Sequence, residues 1–407
     1  MRFSLPIKIV LVLLLLLIGW NVWLPSAWDM YSKVSQTDSG PLNNVDFWAY
    51  YNGGSRFADR QNPYFWGNDP QGNPIISDYL YPPTVLPVFS LLALLPYNAA
   101  RLLWVILYGL SFLAILAWMA RSFTPDWRDA FLVLSLLLTL VSHPLLSHIL
   151  HGQVDVFIIS LILACYLCYA RRRRLLGAII LAAATLIKVS PAFLLIYFVL
   201  FQRDLRFLWM YAAALAVLIG LSLLAVPAGM YADYVRYVLP EVSRSTSFWL
   251  NQSIPKYLTF SPWLARIASL GGLAMLAGLV WAIGRQSKGE EREPALLLAG
   301  DRFLGEVVFI LNLAGILIFL GKAWTAAYVW LILPSAWLVV GLAARRARPA
   351  FLGIVAAGVA LSMARVYGFP ILNSMNLWGS LILTVSLTVG LMTGKLLPQP
   401  RPDSGRR

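Results

Sequence analysis

Twelve apolar runs divide this chain. They fall near 7–24, 99–119, 130–147, 154–170, 175–187, 190–202, 207–226, 263–284, 303–320, 326–343, 350–367 and 376–394. A helix needs about 20 mainly apolar residues to cross the hydrocarbon core of a bilayer. Inside that core no water can satisfy a backbone N–H or C=O, so such runs fold as helices that bond internally. Charged residues are only 12% of the chain and hydrophobic ones 59%, against about 25% charged in soluble domains. The expectation is one all-α polytopic membrane domain over residues 1–407, with about twelve spans. Two runs, 175–187 and 190–202, are short and separated by Lys188-Val189-Ser190-Pro191. They read as a broken pair, tolerated only where it is buried in protein or lines a cavity.

Lys and Arg set the orientation. With the N-terminus inside, 21 of the 32 basic residues, among them Arg171 to Arg174, Arg203 and Arg206, fall at inner span ends. The positive-inside rule then places both termini in the cytoplasm. The formal charge of +14 is scattered over separate loops, which argues for anionic lipid and against nucleic acid. The run Ile9 to Leu24 is long for a cleavable signal and reads as an uncleaved span. Residues 25–98 form the longest outer loop and 228–262 a second. The inner connection 285–302, with its Gly-Glu-Glu-Arg-Glu-Pro run, reads as a mobile linker. Within the first loop, Phe47 to Ala58 and Val85 to Leu95 are amphipathic and suit interfacial helices. A chain whose elaborate loops face outward works at that face.

Asp46 heads the candidate residues. It stands among aromatics in Asn44-Val45-Asp46-Phe47-Trp48-Ala49-Tyr50-Tyr51. A lone acid there suits a general base for a sugar hydroxyl, and equally an N-cap for the helix that follows. Lys188 interrupts an apolar run, where an ammonium is costly unless it faces a cavity or snorkels outward. Lys322 and Arg365 lie near outer span ends and add cationic candidates. Asp155, after Gly152-Gln153, reads first as a helix cap and second as another carboxylate. His148 and His151 share a helix turn, but no metal motif accompanies them. Cys165 and Cys168, three apart in an apolar run, read as buried inert thiols.

Several motifs together resemble glycosyltransferase family 87. They are Val45-Asp46-Phe47-Trp48-Ala49-Tyr50-Tyr51, Asn62-Pro63-Tyr64, Tyr79-Leu80-Tyr81-Pro82-Pro83, Leu94-Leu95-Pro96, Leu103-Trp104, Gly152-Gln153, Leu186-Ile187-Lys188-Val189-Ser190-Pro191 and Asn251-Gln252-Ser253. The resemblance implies a GT-C type helical bundle that moves a hexose, typically mannose, from a polyprenyl-phosphate donor to a lipid-linked or glycan acceptor. It puts Asp46 at the catalytic acid position and Lys188 on the donor phosphate. Lys322 and Arg365 either add charge to that phosphate site or snorkel to the outer interface. Tyr81, Gln153, Asp155, Asn251, Gln252 and Trp324 are the expected substrate contacts. No metal is required, since the leaving group is a single phosphate whose charge Lys or Arg can meet, and no cofactor is expected. Two departures stand out. The segment Trp324 to Trp330 resembles the family's Trp-x-His-His element, with Ala326 and Ala327 in place of both histidines. Asp155 stands where an Asn is common.

The rival readings are a transporter or flippase, and a non-catalytic protein that binds polyprenyl lipid. A transporter predicts repeated halves with matching broken helices. This sequence offers one broken pair, no evident repeat and one dominant outer loop.

Overall fold

The computed structural model describes residues 45–248, 250–289, 294–364 and 374–393. The run at 7–24 and Arg365 lie outside the described residues. What is described is a helical membrane protein. One small departure from all-α is a hairpin in the segment expected as the first outer loop, β1 (Phe65–Asn68) paired antiparallel with β2 (Pro74–Ile76). Its turn is held by Asp69, whose carboxylate accepts from the backbone of Gln71 and Asn73, the local bonding that makes Asp a turn former.

Both amphipathic stretches of that segment are helical. They form α1 (Val45–Ala58) and α2 (Leu86–Leu92), the latter preceded by a 3-10 turn, Pro83–Val85. Phe47, Ala49 and Tyr50 are buried on α1, and Leu86 and Phe89 on α2. The two helices meet at Gly54, where a Cβ would lie 2.3 Å from the backbone of Phe89. Only glycine allows that approach. Asn62 then ties this segment to residues 228–262 through Asp233, at 2.7 Å.

Each apolar run after residue 98 coincides with helix. In order these are α3 (Tyr97–Ala120), α4 (Pro125–Val141), α5 (His143–His151), α6 (Asp155–Ala170), α7 (Arg174–Ile187), a 3-10 turn (Ser190–Leu194) followed by a π-helical turn (Ile196–Phe201), and α8 (Leu205–Ser222). The segment expected as the second outer loop carries α9 (Ala228–Asp233), a π-helical turn (Tyr234–Val238), α10 (Leu239–Ser243) and a 3-10 turn (Ile254–Leu258). Then come α11 (Pro262–Gly289), α12 (Pro294–Phe319), a 3-10 turn (Thr325–Leu331) running into α13 (Ile332–Ala344), α14 (Pro349–Met363) and α15 (Met375–Met392).

Five of these helical stretches are long and apolar enough to cross a membrane, and a sixth arises if α4 and α5 are one bent span. The remaining apolar helices have 10–17 residues, with α12 counted from Phe303. At 1.5 Å per residue, the 14-residue α7 covers only about 21 Å of a core roughly 30 Å thick. Length and composition alone thus support five or six crossings among the described residues.

Two breaks matter. The expected one, after Ile187, is present. A second divides the run 130–147, where α4 and α5 diverge by 60°. Ser142 sits there in extended conformation and accepts from the backbone N–H of Leu145, with Pro144 in the first turn of α5. The stretch 285–302, expected to be a mobile linker, is helical over 285–289 and 294–302; residues 290–293, with most of its acidic run, lie outside the described residues.

Candidate active site

Asp46 lies in the first turn of α1 and is half-buried. Its Oδ2 accepts from Nε2 of Gln153 at 2.8 Å. Gln153 is placed by its neighbour. Gly152 ends α5 in the left-handed region, with φ of 66°, the usual glycine role at a helix C-terminus. Its carbonyl accepts from Nε1 of Trp104 at 2.9 Å. The Trp104 ring in turn packs on Phe47, Tyr50, Phe89 and Phe157. An aromatic cluster thus clamps α1, α2, α3 and the α5–α6 turn around one hydrogen bond. Gln153 Oε1 is buried and has no partner among the described residues.

Burial raises the Asp46 carboxyl above its ordinary value, with the nearby charges of His151 and Lys188 and the Gln153 bond pulling it down and Asp155 pushing it up. Desolvation penalises the charged form, so this carboxylate is more basic than a surface aspartate. Tyr81 belongs to the same neighbourhood. Its hydroxyl accepts from Tyr50 at 2.7 Å, and burial followed by the Asp46 charge pushes its phenol well up.

Next to this pair lies another. Asp155 is fully buried. Its two oxygens hold Nζ of Lys188 at 2.8 and 2.9 Å, and Oδ1 also accepts from Nε1 of Trp330 at 3.0 Å. Asp155 is therefore not the cap of α6. The capping bond comes instead from His148, whose Nε2 accepts the Val156 N–H at 3.1 Å. His151 points its Nδ1 at the Ser147 carbonyl, 2.7 Å away. Lys188 ends α7 in extended conformation and stays partly exposed, at 23% of its side chain. Asp46, Gln153, Asp155, Lys188 and Tyr81 thus form one cluster.

The remaining expected contacts make the following bonds of their own. Asn251 is fully buried and structural: its Nδ2 donates to the carbonyls of Thr246 and Gly321, and its Oδ1 accepts from Ser253 Oγ and Ala323 N–H. It also bridges Trp324 through the backbone. Gln252 is buried in the same stitch, its N–H donating to the Ala323 carbonyl at 2.7 Å. Trp324 packs edge-on against Phe248. Lys322 donates to the backbone carbonyl and the carboxylate of Glu241. Ala326 and Ala327 are buried in the 3-10 turn that carries Trp330. Trp104 and Trp330 stand in the sequence only as members of longer motifs, yet their indole N–H groups orient the site. Cys165 and Cys168 are free and buried.

Residues 79–309 match glycosyltransferase family 87. That stretch includes Tyr81, Gln153, Asp155, Lys188, Asn251 and Gln252; Asp46, Lys322 and Trp324 fall outside it. The chain is similar to the polyprenol-phosphate-mannose-dependent alpha-(1-2)-phosphatidylinositol mannoside mannosyltransferase of Mycolicibacterium smegmatis, 29% identical over 262 residues, or 61% of this chain and 54% of that protein. It is also similar to the polyprenol-phosphate-mannose-dependent alpha-(1-2)-phosphatidylinositol pentamannoside mannosyltransferase of Mycobacterium tuberculosis, 26% identical over 330 residues, or 76% of this chain and 70% of that protein. The first alignment spans about half the length of its relative.

Proposed function

This chain belongs to glycosyltransferase family 87, and from that membership and its outer cluster we propose that it transfers a mannosyl unit from a polyprenyl-phosphate donor to a glycolipid acceptor. The relatives' names supply the donor class and a phosphatidylinositol mannoside as acceptor type. The observation that carries the mechanism is the Asp46–Gln153 bond beside the Asp155–Lys188 pair.

In this reading Gln153 fixes Oδ2 of Asp46 and leaves Oδ1 to take the proton from an acceptor hydroxyl. The acceptor oxygen attacks the anomeric carbon as the bond to the donor phosphate breaks, and polyprenyl phosphate leaves with the electron pair. The anomeric centre inverts. Proton transfer to a positioned base contributes about 10²–10⁴-fold. Gln153 Oε1, buried and unpartnered among the described residues, suits a sugar hydroxyl as donor. Lys188 meets the phosphate with the exposed part of its ammonium, while Asp155 and Trp330 hold it in place. Such electrostatic support at a leaving group is usually the largest single catalytic contribution.

The same reading puts this cluster on the outer face of the plasma membrane and both termini in the cytoplasm, as the Lys and Arg distribution favours. The test is mannosyl transfer from polyprenyl-phosphate mannose in proteoliposomes, wild type beside Asp46→Asn. Transfer by the wild type alone supports the base. Donor binding without turnover in either protein would leave a lipid-binding protein in place of the enzyme.

A further inference from the structure

A second charged and apolar feature lies at the opposite end of α7 from Lys188. A cavity of about 620 Å³ opens sideways between α7 and α8, lined by Leu175, Ile179, Trp209, Met210, Ala213 and Val217, among other apolar residues. Its lining follows α8 from Trp209 to Leu218, about 13 Å along the helix. Where the groove meets the helix starts, arginines gather. Arg174 pairs with Asp204 at 2.9 Å and so ties the start of α7 to the start of α8. Asp204 is buried, also accepts from Tyr169 Oη and caps α8 through the Phe207 N–H, so its charge is fully engaged. Arg171 lies over the Trp118 ring. Arg172, Arg173, Arg203 and Arg206 are exposed and carry no ion pair among the described residues. Arg172 and Arg203 hold φ of 62° and 54°, a region that favours glycine or asparagine. Backbone geometry does not select arginine at those turns.

We propose that this juxtaposition of the α7–α8 groove and Arg172, Arg173, Arg203 and Arg206 binds one anionic phospholipid, its phosphate on the arginines and an acyl chain in the groove. Basic pockets between membrane helices on the cytoplasmic side recognise anionic headgroups in this way. Charge complementarity selects this occupant. The donor's phosphate belongs at Lys188, some 14 residues or about 21 Å away along α7, so the donor's headgroup does not compete here.

The experiment is native mass spectrometry of the purified full chain in detergent. It is titrated with phosphatidylglycerol or with phosphatidylcholine of identical acyl chains, each with and without inorganic phosphate. Wild type should retain phosphatidylglycerol preferentially, whether or not phosphate is added. The double variant Arg172→Gln/Arg203→Gln should bind it about fivefold more weakly for each arginine removed. Ala213→Trp, which fills an exposed part of the groove, should weaken retention with the arginines intact. Equal retention of both lipids overturns the proposal. So does displacement by inorganic phosphate, which would mark a free-anion site. An unaffected Ala213→Trp variant also overturns it, leaving only diffuse surface charge.

Discussion

Both oxygens of Asp155 hold the ammonium of Lys188, at 2.8 and 2.9 Å across 33 positions of sequence. The carboxylate is fully buried while the lysine keeps a quarter of its side chain exposed. The pair joins the start of α6 to the end of α7, and Trp330 locks its third corner from the 3-10 turn before α13. A buried charge pair of this kind is costly to break from one side, because the remaining charge is left uncompensated.

Lys188→Met should therefore lower stability by about 3–5 kcal/mol, the range for breaking a buried pair. Asp155→Leu combined with Lys188→Met should recover most of that loss without recovering transfer. Thermal unfolding in detergent, run beside transfer assays, checks both parts. A double variant as unstable as the single one would mean the pair is not the source of the loss.

Asp46→Asn should leave the melting temperature nearly unchanged and reduce mannosyl transfer by at least about 10²-fold. Asparagine keeps the shape and can still meet Gln153, but it cannot take a proton. Substantial residual transfer would send the search for a base to another residue.

The pH profile of transfer follows from Asp46. Its carboxyl lies above the ordinary value of 3.8 because burial disfavours the charged form. With Asp46 as the proposed base, only its ionised form supports transfer, so activity should be present above that raised value and lost as the pH falls through it. Stability runs the other way for this group, since a raised folded-state value means ionisation opposes folding as the pH rises. An acid limb of kcat/KM at or below 3.8 would remove Asp46 from the role of base.

Gln153→Leu should keep the fold, since one hydrogen bond is worth about 0.5–1.5 kcal/mol, yet impair transfer by freeing Asp46. The Asp46 carboxyl also loses a bond that favours its ionised form, so the acid limb should move to higher pH. A lowered rate with an unmoved limb would assign Gln153 to substrate contact instead.

Gly54→Ala should destabilise by about 1–3 kcal/mol, as overpacking does, because a Cβ there meets the Phe89 backbone at 2.3 Å. Since α1 carries Asp46, transfer should fall with it. Proteolysis of the first outer segment in intact proteoliposomes would report the loosening.

The membrane character of this chain, its helices and the break at Lys188 were all legible in the sequence, because hydropathy and helix-breaking residues act locally. So were Asp46, Gln153, Asp155 and Lys188 as candidates, since polar groups beside apolar runs are expensive and stand out. Local rules misread their roles in part. Asp155 had the position of a cap, yet His148 caps α6 and Asp155 serves Lys188. Asn251 stood out as a candidate substrate contact, and only the fold shows that it also stitches Gly321, Ala323 and Trp324 together. The sequence by itself determined which segments avoid water and where charge is anomalous. Tertiary structure alone decided which anomalous charges meet, because a buried carboxylate is tolerated only where distant helices bring it a cation and an N–H donor.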